Sequence, residues 1–409
     1  MWETLGSGPR QDRLLHGAAK AFNLALGLIM IPAWLVGQRL VAPLRRLLGL
    51  LDQPRRQLPL PAPVSGDLDA VLADLKALPH RLRPTRSAVL KKGLADISMF
   101  FLAQKRQTIN LGYAYPSQFE YHYFDGADGE RIAASVALQE EPRPGIVVVH
   151  GLLSTRLFDY VRAIAVRAYY EWGFNVAAID LRSFGLTEMM AYPPATGGWK
   201  EGEDIICAAR YLKSLGSTSV GALGISLGAS SVMNASHPAG AEVLDGGIMA
   251  ICGPADVRVA VEYLDREVPP GHPFWPVSKL FDAMLVSKVR NLGWPSEVAD
   301  FRTLMEFVVA PRYGVSVDEI YKRSSAKNHI AKARVPVFVL HSEDDEVVPV
   351  KHARMIEEAA AGSDKVRVWI VPGGGHAAFD AIDKRWTYTV YRTFFERLAR
   401  YAVAEELAA

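Results

Sequence analysis

Cysteine is almost missing from this sequence: Cys207 and Cys252 are the only two in 409 residues, and both stand in apolar runs. That excludes a disulfide framework, and no histidine or cysteine pair has the spacing of a zinc site. The two read as small buried hydrophobes. A strong charge of one sign is lacking as well, the formal net being +2. So are long apolar runs. The longest, residues 21–36 (AFNLALGLIMIPAWLV), is broken by Pro32 and holds Asn23, whereas a bilayer-spanning helix needs about 20 residues. Extending it to Val41 admits Gln38 and Arg39, and with Glu3 and Asp12 ahead of it and no small-residue cleavage site behind, it is a poor secretory signal. Apolar residues are plentiful overall. Half the residues are hydrophobic and 22% charged, enough for a large buried core and against wholesale disorder.

The charge is unevenly divided. Residues 1–106 hold 16 Lys/Arg against 7 Asp/Glu, and the rest of the chain carries a net excess of seven negative charges. A basic, apolar N-terminal segment (1–56) is therefore expected to meet an anionic surface, as a membrane-embedded or interfacial anchor. Its alternatives are a helix packed on the body or an oligomer seam. Prolines 54, 59, 61 and 63 mark a linker, so 57–118 reads as linker and helical extension, with a helical pattern over 68–106 that puts Leu68, Val71, Leu72, Leu75 and Leu78 on one face. Two alternating runs between 119 and 140 flank Asp125-Gly126-Ala127-Asp128-Gly129 and predict a β-hairpin.

From Gly145 the rhythm is strand, turn, helix. The runs IVVVHG, FNVAAID, TSVGALG, GGIMAIC, VPVFVLH and VRVWIV are apolar with little alternation. Helical patterns at 160–172, 203–215, 351–361 and 384–402 separate several of them. Such strands indicate a mostly parallel sheet covered by helices on both faces, an α/β fold. Its core comprises 119–253 and 335–409. Between them, 254–334 is a helix-prone, aromatic-rich insertion, containing Phe274, Trp275, Phe281, Trp294 and Phe307, that is long enough to cap the strand ends. More than half of its aromatics are expected to form the insertion's own core.

Ligands in such sheets bind beyond the carboxyl ends of strands, and four of these ends carry suggestive residues. The stretch Gly221–Ser231 (GALGISLGASS) leads a strand into a helix through Gly224-Ile225-Ser226-Leu227-Gly228, the spacing of a nucleophile elbow. His150-Gly151-Leu152-Leu153 follows another strand and could offer backbone N–H groups to an oxyanion, with His150 bracing the turn. Asp345 lies just past a third strand, beside Asp344 and Glu343, which leaves the acid ambiguous by one or two positions. Asp256 is a further candidate acid. His376 follows a glycine run after the fourth. A serine hydroxyl needs a base, and a histidine base needs a carboxylate to fix its tautomer. The order Ser226, Asp345, His376, with intervals of 119 and 31 residues, fits an elbow whose nucleophile comes first.

These residues resemble the α/β-hydrolases, and within them the YheT-like branch of abhydrolase-domain esterases, over about residues 120–400. The resemblance rests on His150-Gly151 with Ser154-Thr155 and Tyr160-Val161-Arg162, on Ala178-Ile179-Asp180-Leu181-Arg182, and on the elbow. It continues through Ser324-Ser325 before Ile330, Asp345 with Val348-Pro349, and Gly374-Gly375-His376. Two positions depart from the pattern: Ser183 and Ser342 stand where glycine is usual. The resemblance implies an α/β-hydrolase fold and a carboxylesterase, lipase or acyltransferase, with several relatives carrying an N-terminal membrane segment.

The expected reaction is acyl transfer from a carboxylic ester through an acyl-serine, with Ser226 as nucleophile, His376 as base and Asp345 as acid. The backbone N–H groups of Leu152 and Leu227 are the expected oxyanion hole. No metal or organic cofactor is called for. An acyltransferase using the same acyl-enzyme is the catalytic alternative. A silent, membrane-tethered hydrolase-fold scaffold is the non-catalytic one. Serine at the elbow disfavours an epoxide hydrolase or dehalogenase, which need aspartate there. The apolar run beside the N-terminal charges favours a membrane or protein over nucleic acid. The expected location is cytoplasmic, with membrane association through 1–56. Oligomeric state is not legible.

Overall fold

The computed structural model describes residues 68–83, 115–191, 193–267 and 292–408, with isolated positions between 268 and 291. The anchor expected over 1–56 lies outside the described residues. Among those described, no helix is long and apolar enough to cross a membrane.

The apolar runs become one eight-stranded sheet. Its strands are β1 (Glu120–Asp125), β2 (Arg131–Ala137), β3 (Gly145–Val149), β4 (Asn175–Ile179), β5 (Val220–Ile225), β6 (Ile248–Ile251), β7 (Val337–Ser342) and β8 (Val366–Val371), in the order β1-β2-β4-β3-β5-β6-β7-β8. The hairpin β1–β2 is antiparallel and β2 joins β4 antiparallel. From β4 to β8 all pairings are parallel. Strands β3 to β7 are buried along their whole length, which is why their sequences do not alternate.

Helices α1 (Leu68–Ala77), α2 (Asp159–Tyr170), α3 (Trp199–Ser214), α4 (Leu227–Asn234), α5 (Val257–Glu262), α6 (Phe301–Leu304), α7 (Val317–Ser324), α8 (Lys351–Ala359) and α9 (Phe379–Ala408) surround the sheet and build the insertion. Helix α1 covers the β8 edge, where an unpaired strand would otherwise invite aggregation. Leu68, Val71, Leu72 and Leu75 join the central core, while Asp69 pairs with Arg367 and Asp74 with Arg397. The expected helix over 68–106 is shorter in its described part. It stops at Ala77 because Pro79 biases Leu78 out of helical backbone. Helix α3 starts four residues before the expected Glu203, because the Glu201 carboxylate turns back to accept from the N–H groups of Thr196 and Gly198. In α9 the backbone breaks at Asp383, whose side chain accepts from Trp386 N, so the continuous part starts near the expected Lys384.

Between β6 and β7 the described residues form helices and turns, with no strand among them. Val257, Val261, Leu285, Phe301, Met305 and Val309 are among those forming a separate apolar core. Trp294 packs on it, while Phe307 is 39% exposed. Phe274, Trp275 and Phe281 lie outside the described residues.

One buried ion pair ties three parts together. Arg182 donates from Nε and Nη2 to the two oxygens of Asp204 on α3 (2.6 and 2.8 Å), from Nη2 to Ala127 O in the β1–β2 turn, and from Nη1 to Tyr313 of the insertion. Both members of the pair are fully buried. Replacing Arg182 with methionine leaves the Asp204 charge without its partner. It is expected to cost about 3–5 kcal/mol of stability, read from urea unfolding midpoints.

Candidate active site

The parallel register brings the carboxyl ends of β3 to β8 to one rim. There the backbone is repeatedly forced into the left-handed region: Leu153, Ser183, Ser226, Cys252 and Ala377 have φ between 52 and 66°. Each follows the end of a different strand. The sixth such non-glycine residue among those described, Asp128, sits in the hairpin turn. Strain of this kind costs about 1–3 kcal/mol per residue and persists where the surroundings over-determine it.

Ser226 has φ 58° and ψ −118°, between β5 and α4. Its N–H donates to Ile251 O on β6 at 2.9 Å, and its carbonyl accepts from Ala229 and Ser230. The flanking glycines are a matter of space. A Cβ on Gly224 would stand 2.1 Å from Gly228 O, and one on Gly228 would stand 2.5 Å from His150 O. The side chain of Ser226 is left partly exposed at the rim.

The loop after β3 presses on it, a Cβ on Gly151 lying 3.1 Å from Ser226 Cβ. His150 is wholly buried, donates from Nδ1 to Gly151 O (2.7 Å) and accepts at Nε2 from Leu181 N (2.9 Å), which fixes the neutral tautomer. It therefore braces the turn, as expected. Gly151 N donates to the Tyr160 hydroxyl, which donates to Ser154. Leu152 packs against both the central core and the insertion's core. Leu227 opens α4, where the first N–H groups have no partner within the helix.

Asp345 lies in the turn after β7 with its side chain fully buried. Its Oδ1 accepts from the N–H groups of Val347 and Val348, both at 2.9 Å. His376 Nδ1 stands 3.0 Å from Oδ2 and 3.2 Å from Oδ1. Burial pushes the Asp345 carboxyl up, but His376, His341 and the Val348 N–H outweigh it and hold it below the usual carboxylate range. The neighbouring candidates have other partners. Asp344 accepts from Gly375 N at 2.8 Å and from the Ser342 hydroxyl, Glu343 is exposed, and Asp256 caps α5 and pairs with Lys327. With Nδ1 of His376 turned to the carboxylate, Nε2 is the nitrogen able to exchange a proton. Ser226 Oγ is not hydrogen-bonded to His376 in this structure, and catalytic hydrogen bonds are often long before substrate binds.

Both departures from glycine have local reasons. Ser183 donates to Pro193 O (3.0 Å) and accepts from Ala195 N (2.8 Å), pinning the loop ahead of α3. Ser342 orients Asp344. Sequence reading took Cys252 only as a small buried hydrophobe and gave His341 no role, yet their donor atoms lie with an Asp345 oxygen within 4.8 Å of one another. The signal was available, since both sit at the carboxyl ends of strands. As a metal site the trio is already engaged, His341 Nε2 donating to Val348 O and Asp345 accepting from three N–H groups.

A family profile described as alpha/beta hydrolase family matches residues 146–384. A Synechocystis protein whose name provisionally assigns it esterase activity is 26% identical over 247 residues, 52% of this chain and 64% of that one. The monoacylglycerol lipase of Saccharomyces cerevisiae is 24% identical over 226 residues, 51% of this chain and 49% of that one. The chain thus spans less than two thirds of the length of these curated relatives. Among solved structures, an esterase of Pyrococcus furiosus aligns over 70% of this chain and 95% of its own, with 14% identity and a TM-score of 0.48.

Proposed function

The chain belongs to the alpha/beta hydrolase family, and on that premise we propose that it is a serine hydrolase of carboxylic esters. The observation that carries the reading is the buried Asp345 carboxylate holding His376 by Nδ1 on the rim where Ser226 is presented at a strained turn. Ser226 Oγ attacks the ester carbonyl carbon while His376 Nε2 takes its proton. Asp345 holds the imidazole in the needed tautomer and stabilises the imidazolium. The carbonyl oxygen becomes an oxyanion received by the backbone N–H groups of Leu152 and Leu227, each such donor typically worth about 2.7–4 kcal/mol of barrier. As the tetrahedral intermediate collapses, the bond to the alcohol breaks and His376 gives that alcohol its proton. Water, deprotonated by the same histidine, then releases the acid and restores Ser226.

The substrate side is supported by the apolar insertion beside Leu152 and by the names of the two curated relatives, an esterase and a monoacylglycerol lipase. We assign the chain an ester with an apolar acyl part, and keep the YheT-like branch as its subfamily. The test is a panel of esters of graded acyl length combined with a fluorophosphonate probe. Hydrolysis favouring acyl chains beyond acetate is expected, with probe attached to the peptide containing Ser226. Attachment elsewhere, or no hydrolysis across the panel, overturns the reading.

A further inference from the structure

The Asp345 carboxylate has a far side, and what occupies it is chemically specific. His341, near the end of β7, is wholly buried. Its Nε2 donates to Val348 O at 2.8 Å and stands 3.6 Å from Asp345 Oδ2. Val348 in turn donates its N–H to Asp345 Oδ1 at 2.9 Å. The imidazole therefore grips, by its carbonyl, the same residue whose amide grips the acid. Cys252, at the end of β6 and held at φ 52°, brings its sulfur into the same cluster. Its thiol also approaches Gly375 O, one residue before His376, at 3.9 Å. One small side chain thus touches both the acid's surroundings and the loop that carries the base.

Stability does not explain the histidine. The other ring nitrogen of His341, Nδ1, is buried with no hydrogen-bond partner among the described residues, and an unpartnered buried polar atom is destabilising. The neighbouring strand positions Val337, Val339 and Leu340 are apolar and buried, so the histidine is an exception in its strand. Resting on the reading of Asp345 as the triad acid, we propose that His341, assisted by Cys252, is a positioning residue for the reaction: it locks the turn from Asp345 to Val348 so that the carboxylate stays in line with His376.

The test compares His341→Met and His341→Gln with wild type, and repeats His341→Met in an Asp345→Asn background. Methionine fills the space without a donor, and kcat is expected to fall about tenfold or more with little change in KM, the effect of losing a hydrogen bond that supports a charged group. Glutamine offers an N–H to the Val348 carbonyl and is expected to restore kcat to within about threefold of wild type. In the Asp345→Asn background, read by the rate of fluorophosphonate labelling, the methionine is expected to cost less than about twofold, because its effect runs through the missing acid. A wild-type kcat in His341→Met, failure of glutamine to rescue, or an equal loss in both backgrounds overturns the proposal. If His341→Met does not fold, Cys252→Ala takes its place with the same expected pattern and a smaller loss. Hydrolysis that survives Ser226→Ala overturns the underlying reading. Ser226-dependent hydrolysis indifferent to His341→Met overturns this proposal alone.

Discussion

Replacing Ser226 with alanine is expected to lower kcat for ester hydrolysis by about six orders of magnitude and to abolish labelling by fluorophosphonates. The size follows from what is lost. Without Oγ no acyl-enzyme forms, and His376 is left with water as its only nucleophile, while the loop at Gly151 and the start of α4 still surround the carbonyl. A residual rate above solution is therefore expected, supplied by the oxyanion donors and binding. Alanine keeps the strain at φ 58°, so its thermal stability should stay close to wild type. Glycine at the same position removes the strain as well as the hydroxyl. The Ser226→Gly protein should be equally inactive but more stable by about 1 kcal/mol or more, a stabilisation reached by relaxing a functional turn. Paired measurements of kcat and unfolding midpoint on the two variants separate the chemistry from the fold. A Ser226→Ala protein within tenfold of wild type would mean that another residue is the nucleophile.

The strands of this fold were legible because burial on both faces leaves a local mark: an unbroken apolar run, as in residues 146–149 and 176–179. The elbow was legible for a similar reason, since the close approach of Gly224 to Gly228 O is settled within a few residues. Hidden from the sequence were the contacts made by folding across long separations. Nothing near Arg182 announces Asp204 on α3 or Tyr313 from the insertion. Cys252 read as a small buried hydrophobe because what sets it apart is Asp345, 93 residues on, whereas His341 stood unremarked in its strand although Asp345 is only 4 residues away. Helix ends were blurred where a side chain reaches back over several residues, as Glu201 does to Thr196. The acid was ambiguous for a sharper reason. Asp344 and Asp345 are adjacent and chemically identical in sequence, and only the course of the turn decides which carboxylate points inward.

That choice leads to the second large effect. Asp345→Asn is expected to lower kcat about 10⁴-fold while Asp344→Asn changes it by no more than a few-fold. In the first case the replaced group accepts from three N–H donors: Val347 and Val348 at Oδ1 and His376 at Oδ2. An asparagine can keep its oxygen on the two backbone amides only by turning its NH₂ toward His376. The imidazole must then offer a lone pair at Nδ1 and carry its proton on Nε2, where it cannot receive one from Ser226. In the second case the group lost is an acceptor for Gly375 N and the Ser342 hydroxyl, and an asparagine oxygen accepts from both without touching the imidazole. The pH dependence of stability should divide the variants in the same way. Because the folded Asp345 carboxyl lies below its ordinary value, its contribution is fully present above about pH 4 and is lost as pH falls through the lower folded-state value. Asp345→Asn should remove that part of the acid-side decline in the unfolding midpoint. Asp344→Asn should leave it in place, and the reverse assignment of either effect would move the acid by one residue.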